Sequence, residues 1–338
     1  MTSRKARCAV VGLGIQGVQY SRVYQACGRS DLALVCDVDE DRARATAGAM
    51  GCAWTTRYEE VAASDVDIVT VATPDFAHTP LLLAMASHGK HIVAEKPLCM
   101  NVGEARQIVD AVTSSGVQFM INLPRRFTPE YLAVKKAVAA GKIGEPVMGY
   151  VRLSDRRSVP TQMLTWAGRT GPHWFLFAHS IDHIRWVLGE EAREVYAVGR
   201  RGIVQGLNTW DAIQALVKFD RAWVTFETSW SLPMGWPGLI DRFLTLEGTE
   251  GRIIVDGTSQ ALAVSLTGST FAFADAPGEI GGRPVGPMVS ALHHFVDCVL
   301  DGKPHEGPTA ADGLAVVAAI AAIERSLEAG KPVAVSGT

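Results

Sequence analysis

An apolar run, Ala6 to Val11, ends at Gly12-Leu13-Gly14-Ile15-Gln16-Gly17, and Val18 to Ala26 can continue from it as a helix. A strand that turns through three such glycines into a helix leaves few folds open. The first glycine permits a tight turn, the second lets the backbone approach a pyrophosphate, and the third lets the helix pack closely on the strand. Free N–H groups at the start of that helix attract phosphate. The expected product is the opening unit of a dinucleotide-binding sheet.

The next apolar run, Asp31 to Cys36, ends at Asp37, 20 positions after Gly17, where an acidic residue accepts hydrogen bonds from an adenosine ribose. Asp37-Val38-Asp39 carries no arginine to receive a 2′-phosphate, so NAD is favoured over NADP. Asp37 also reads as a turn residue, and Asp39 as the cap of a helix from Glu40 to Met50. Alternation continues through a helix near Arg57 to Ala63, a strand Val66 to Ala72, the turn Thr73-Pro74-Asp75-Phe76-Ala77-His78, and a helix Pro80 to His88. By crossover order that turn lies beside the glycines and can line the nicotinamide side of the cofactor. His78 reads equally as a first-turn helix residue.

The strand His91 to Ala94 runs into Glu95-Lys96-Pro97. Ligands of open α/β sheets bind beyond the carboxyl ends of the strands, so Lys96 is a candidate for chemistry. A lysine serves as general acid or base when its surroundings bring its pKa from about 10.4 to roughly 7–8. Pro97 stiffens the turn and makes Lys96-Pro97 a candidate cis peptide. Asn101, with Glu104 three residues on, opens a helix Val102 to Ser115 in the manner of a capping box, and a strand Val117 to Ile121 closes the doubly wound sheet at Asn122. Residues 1–124 are thereby expected to form a dinucleotide-binding Rossmann domain.

At 338 residues the chain has room for a second domain, 125–338. There Pro129 to Ala140 reads as a helix, and strands are expected at Glu145 to Leu153, Glu194 to Arg200, Ala212 to Phe219, Trp223 to Trp230, Arg242 to Glu247, Arg252 to Asp256 and Leu262 to Leu266. Few helices intervene, so a mainly antiparallel open sheet covered by helices is expected, an α+β domain beside the α/β one. Helices are expected again from Pro287 to Leu300 and up to Ala329. Tryptophans gather in this half; they suit a platform for a sugar ring and suit ordinary sheet packing alike. Arg152, Arg156, Arg157 and Arg169 read either as receptors for an anionic substrate group or as a solvated basic loop.

Hydrophobic residues at 48% and charged residues at 20% describe a globular chain, and a net charge of −3 gives no pull toward nucleic acid or anionic membrane. Six cysteines without a Cys-x-x-Cys pair read as reduced thiols of a cytoplasmic protein. Neither a signal peptide nor a membrane-spanning run is apparent.

Together, Gly12-x-Gly14-x-x-Gly17, Asp37, Thr73-Pro74 with His78, Glu95-Lys96-Pro97 and Asn122 followed by Arg125-Arg126-Phe127 resemble the glucose-fructose oxidoreductase / inositol dehydrogenase / MocA (Gfo/Idh/MocA) family of NAD(P)-dependent oxidoreductases. The resemblance implies that Lys96 binds substrate near the nicotinamide and helps move its proton, that Glu95 supports it, and that NAD is held by Gly12, Gly14, Ile15, Gln16, Gly17, Asp37, Thr73, Pro74, His78, Glu95, Lys96 and Asn122. It further implies that the open sheet makes a homo-oligomer, a dimer or tetramer. Pro124 departs from the polar residue that family members often carry there.

The stretch Gly171 to Trp186 resembles the family's helix with a catalytic histidine, which places that role on His179. Polyol oxidisers of the family usually carry aspartate four positions earlier and glycine two earlier; here stand Phe175 and Phe177. His173, Asp182 or His183 can replace the lost carboxylate's contact. Substrate is expected at Lys96, Arg125, Trp166, Asp182 and His183. His179 and His183, four apart on a helix, also suit a metal, but no motif completes such a site and none is expected. The function expected is NAD-dependent hydride transfer at a hydroxyl or carbonyl carbon of a sugar, cyclitol or related molecule, with Lys96 and His179 handling the proton. The alternatives are an NAD redox cycle without net oxidation, as in a lyase or glycosidase, and a non-catalytic NAD sensor.

Overall fold

The structure, a computed structural model, describes residues 4–257, 263–266, 269–272 and 278–337. The chain packs into two compact units, Met1–Phe127 with Pro277–Leu314, and Thr128–Ala276 with Ala315–Thr338.

The first unit is built on a parallel sheet of β1 (Ala6–Val11), β2 (Ser30–Cys36), β3 (Ala53–Thr55), β4 (Ile68–Val71), β5 (His91–Ala94) and β6 (Phe119–Ile121), in the order β3-β2-β1-β4-β5-β6. Ile68 to Val71 are buried throughout, as strands covered on both faces require. The three-residue β3 was not anticipated; it is too short to show a period. The connecting helices are α1 (Ile15–Ala26), α2 (Glu40–Met50), α3 (Tyr58–Ala63), α4 (His78–Ser87) and α5 (Val102–Ser115). Asp39 caps α2 by accepting from the Arg42 N–H at 3.0 Å, and Gly51, at φ +69°, ends it. Asn101 caps α5 through the Glu104 N–H at 3.1 Å, but no capping box forms: the Glu104 carboxylate accepts from Thr79 Oγ1 at 2.7 Å instead.

Chain order reverses direction at β1, which pairs with β2 on one side and β4 on the other. Val11 and Val71 are partners in that pairing, so the turns leaving β1 and β4 lie side by side at the switch point where such sheets bind ligands. A helix from the far end of the sequence, Pro287–Asp301, completes the unit. Its Met288, Val289, Leu292, Phe295 and Val296 recur at helical spacing and pack into one core with Val10, Tyr20, Tyr24 and Val93.

In the second unit, α6 (Pro129–Ala139), β7 (Pro146–Arg156) and α7 (Pro172–Leu188) precede β8 (Glu194–Arg201), β9 (Trp210–Lys218), β10 (Trp223–Leu232), β11 (Ile240–Gly248) and β12 (Arg252–Asp256). With the short strand Val333–Ala334 they form a sheet in the order β12-β11-β7-β10-β9-β8-Val333–Ala334. Its pairs are antiparallel except β7 with β10, so the sheet is mixed but mainly antiparallel. Helix α7 packs on β7, β9 and β10, with Phe177 edge-on to Phe226. On β9, Ile213, Ala215 and Val217 are buried while Gln214, Leu216 and Lys218 are exposed, the period of two that marks one covered face and one open one. Ala263–Leu266 pairs with Ser269–Ala272 in a separate hairpin; Leu262, expected at the start of that strand, lies outside the described residues.

Candidate functional site

The glycine turn has the shape its sequence predicts. Gly12 sits at φ +90°, and a Cβ there would meet the Ala72 carbonyl at 2.8 Å. At Gly17 a Cβ would stand 1.8 Å from the Gly12 oxygen, so only glycine permits the close approach of the helix to the turn at this point. Nothing lies within 4 Å of where a Gly14 side chain would begin, and Ile15 and Gln16 beside it are exposed. The backbone at the start of α1 therefore faces an open cradle, without an acidic residue in the first turn to repel phosphate. That arrangement fits a dinucleotide pyrophosphate.

Asp37 closes one side of the cradle. Its Oδ2 accepts from the Leu13 N–H at 2.7 Å, inside the glycine turn, and its Oδ1 from the Asp39 N–H at 2.9 Å. The expectation that no arginine stands here needs correction: Arg42 Nη1 lies 3.2 Å from both Asp37 oxygens, and Nη2 lies 3.1 Å from Asp39. Arg42 is three residues into α2 beyond its cap, and the helix turns it back over Asp37.

His78 ties the turns after β4 and β5 together. Its Nε2 is 2.9 Å from the Thr73 carbonyl, and its Nδ1 is 2.9 and 3.2 Å from those of Pro97 and Leu98. It is a first-turn residue of α4, fully buried, and its ring braces Thr73-Pro74 from behind.

Glu95 is 8% exposed and is fixed by donors from three places in the sequence. Its Oε1 accepts from Asn122 Nδ2 at 2.8 Å and from the Tyr20 hydroxyl, and its Oε2 from the Lys96 N–H at 3.0 Å. Burial, reinforced by the charge of Glu95, pushes the Tyr20 phenol well above its ordinary range, so it remains a donor. The carboxylate thus holds the backbone of the Lys96-Pro97 turn, which is cis, while the half-buried Lys96 extends from it. Tyr20 had drawn no attention in the sequence, where it looks like a helix core residue. Arg125 is half-buried in the turn Pro124–Phe127, and its neighbour Arg126 pairs with Asp312 at 3.0 Å.

In the second unit, α7 begins with Pro172 and carries the expected histidine segment. His173 does not turn to His179: its Nε2 meets Glu324 at 3.1 Å, and the same carboxylate oxygen accepts from Trp174 Nε1 at 3.2 Å. Burial opposes ionisation of Glu324, but these two partners hold its carboxyl below the usual range. Phe175 packs between Trp166, at 6.2 Å between ring centres, and Trp230, at 6.1 Å. His179, one turn later, is half-buried. Asp182 and His183 are each 1% exposed, with the His183 ring 3.8 Å from that of Tyr131. Shared helical spacing therefore does not give His179 and His183 a shared exposure. Arg152 is committed to Asp241 at 2.8 Å, while Arg156 and Arg157 reach the Met234 and Ser231 carbonyls at 3.4 and 3.3 Å. Among the described residues no group of His, Cys, Asp and Glu is placed to hold a metal ion, and no helix is long and apolar enough to cross a membrane.

Residues 6–123 match the oxidoreductase family with an NAD-binding Rossmann fold, and residues 131–254 match the GFO/IDH/MocA C-terminal domain. The chain belongs to the Gfo/Idh/MocA family of oxidoreductases. Among its Gfo/Idh/MocA relatives, inositol 2-dehydrogenase of Acidothermus cellulolyticus is 30% identical over 249 residues, 70% of this chain and 69% of the relative. The scyllo-inositol 2-dehydrogenase (NAD(+)) of Bacillus subtilis is 28% identical over 308 residues, 88% of this chain and 87% of the relative. A solved structure of GenD2 from gentamicin A biosynthesis, in complex with NAD, superimposes with a TM-score of 0.84 at 25% identity, covering 99% of this chain and 98% of that one. The Rossmann sheet and the mixed second sheet are thus both family features, and this chain is an inositol 2-dehydrogenase-like oxidoreductase.

Proposed function

We propose that this chain catalyses reversible hydride transfer between NAD and a hydroxyl-bearing carbon of a cyclitol or sugar. The observation that carries the reading is the Glu95 clamp, which fixes the Lys96 backbone at the carboxyl end of β5, in the same sheet as the glycine cradle. The likeness to inositol 2-dehydrogenases supports the substrate class. Residues 1–124 bind the dinucleotide, and 125–338 serve substrate and assembly.

Bound NAD supplies the hydride acceptor; the chain's own groups do the rest. Gly14, Ile15 and Gln16 hold the pyrophosphate on backbone N–H groups. Gly12 and Gly17 shape the turn that presents them, with the Gly12 N–H donated to the Cys36 carbonyl at 2.8 Å. Asp37 accepts from the ribose, and Thr73 and Pro74, braced by His78, line the nicotinamide side. The carboxylate at Asp37 favours NAD over NADP. When a hydride leaves carbon, a proton must leave the hydroxyl oxygen, which calls for a base within hydrogen-bond reach. Lys96 and His179 are assigned to that oxygen, one taking the proton and the other orienting the hydroxyl. Arg125 and Trp166 contact the substrate, and Asp182 and His183 support it from within α7. The aromatic setting of Phe175 favours a second reading, an internal redox cycle in which hydride returns to the same molecule after elimination of a leaving group. Fluorescence titration with NADH, followed by absorbance screening against cyclitols, sugars and uronic acids, decides between them. Net NADH formation supports the dehydrogenase, and product without net NADH supports the cycle. Absence of dinucleotide binding defeats both.

The open face of the second sheet is assigned to homo-oligomer formation. Ile254, Thr245, Tyr150, Thr225, Leu216 and Tyr196 align as one row across β12, β11, β7, β10, β9 and β8. Ile254, Leu216 and Tyr196 in that row, and Met148 and Trp223 in the next, are exposed. An open sheet face that carries exposed apolar side chains on successive strands suits an association surface. Leu216→Asp is expected to convert a dimer or tetramer to monomer at micromolar concentration, as read by light scattering. A monomeric parent would refute the assignment.

A further inference from the structure

We propose that Phe175 is a specificity-determining residue of the substrate site, and that the preferred substrate is a sugar or cyclitol with hydrogen or an apolar group, in place of hydroxyl, one or two carbons from the carbon oxidised. The inference rests on the assignment of His179 to the reacting hydroxyl and narrows the substrate class of that same site.

Helix α7 is almost wholly enclosed. Of its 17 residues only Phe175, His179 and Trp186 are not buried, and at 3.6 residues per turn the three fall on one stripe. Trp186 is set apart from the other two: Asp182, between it and His179, is buried, and Lys135 lies over the Trp186 ring at 5.8 Å. The surface that α7 itself offers beside His179 is therefore Phe175. At this i, i+4 spacing the two side chains are neighbours, with Cβ atoms about 5–6 Å apart. A hydroxyl held by His179 thus brings the next one or two carbons of a six-membered ring against Phe175.

The Phe175 ring is held in place from behind. Trp230, fully buried, stands 6.1 Å from it, and Trp166 meets it edge-on at 6.2 Å. Leu153, Leu164, Leu176 and Ile240 belong to the same apolar cluster. Phenylalanine has no side-chain donor or acceptor, and the Trp230 Nε1 behind it is sealed from solvent. A hydroxyl pressed against this wall gives up hydrogen bonds to water and receives none from the ring. A C–H or methyl group at the same place gives up nothing and gains contact with an aromatic side chain. A cyclitol with a hydroxyl on every carbon brings a neighbouring hydroxyl to the wall, whereas a deoxygenated one does not.

The test compares kcat/KM of the NAD-saturated full chain for myo-inositol, scyllo-inositol and D-glucose with the values for their monodeoxy counterparts. Binding of the same compounds to the NADH-saturated chain is followed by calorimetry. At least one monodeoxy compound is expected to exceed its parent by roughly 10- to 100-fold, the range over which an apolar pocket discriminates against an added hydroxyl. Phe175→Leu, still apolar, is expected to keep the preference, and Phe175→Asn to abolish or reverse it. Should Phe175→Asn fail to fold, by circular dichroism, Phe175→His keeps a ring between the two tryptophans and serves in its place. A preference for the fully hydroxylated compounds, or a deoxy preference that survives unchanged in the polar variant, overturns the proposal. A chain that binds NADH and these compounds without such a preference overturns this inference alone. One that binds NADH but no compound of the panel overturns the substrate class as well, and one that does not bind NADH defeats the proposed function itself.

Discussion

Replacing Lys96 with alanine is expected to lower kcat by roughly 10²- to 10⁴-fold, the usual contribution of a positioned proton-transfer group. NADH affinity in the same variant should change far less, because the glycine cradle that holds the dinucleotide does not include the lysine side chain. The separation follows from how the turn is built. Glu95 holds Lys96 by its backbone N–H, a contact that alanine keeps, and the cradle at Gly12 to Gly17 does not involve the lysine. Lys96→Arg sharpens the result: it keeps the charge but not a group that releases a proton near neutral pH, and is expected to be nearly as slow. Stopped-flow absorbance at the nicotinamide band measures the step. Full turnover in Lys96→Ala would remove the lysine from proton transfer and leave His179 as the sole assigned group.

Glu95→Ala is expected to be the more damaging substitution for the fold. It strands the Tyr20 hydroxyl, the Asn122 amide and the Lys96 N–H around a buried gap. At about 1–3 kcal/mol for each stranded buried donor, and with less than full additivity, a loss of roughly 3–5 kcal/mol is expected. Tyr20→Phe should cost about 1–2 kcal/mol in the native background, where it removes one hydrogen bond. In the Glu95→Ala background it should cost much less, since it then removes a donor already without its acceptor. Denaturant unfolding of the four proteins gives the coupling directly. Simple additivity would show that Tyr20 and Glu95 do not act together, and the clamp on the Lys96 turn would lose its support.

Local signals in the sequence carried much of this architecture. Gly12, Gly14 and Gly17 impose a backbone that side chains would block, so their spacing alone fixes the strand, the turn and the helix start. Helices α2 and α5 are bounded by Asp39, Gly51, Asn101 and Gly116, residues whose capping role depends on immediate neighbours. What escaped notice depends on partners far along the chain. Tyr20 and Glu95 are 75 positions apart, and His173 and Glu324 are 151 apart. No period reports such pairings. Arg42 was missed for a different reason: a reading of Asp37-Val38-Asp39 as a linear string overlooks that the first turn of α2 folds a later residue back onto it. The Phe175 substitution was visible as a departure from the family, but its setting between Trp166 and Trp230 required the fold.

The helix Pro287–Asp301 gives the first unit a particular history during synthesis. The glycine turn and β1 leave the ribosome well before Pro287–Asp301, yet Val10, Tyr20 and Tyr24 share their core with Leu292, Phe295 and Val296. Arg29, at the end of α1, likewise finds Asp297 and Asp301 at 2.7 Å each. Until Pro287–Asp301 has been made, the nucleotide fold is unsealed and its apolar flank is uncovered. An element made early is closed by one made much later, so newly made protein acquires its glycine cradle in final form only after Pro287–Asp301 has been made.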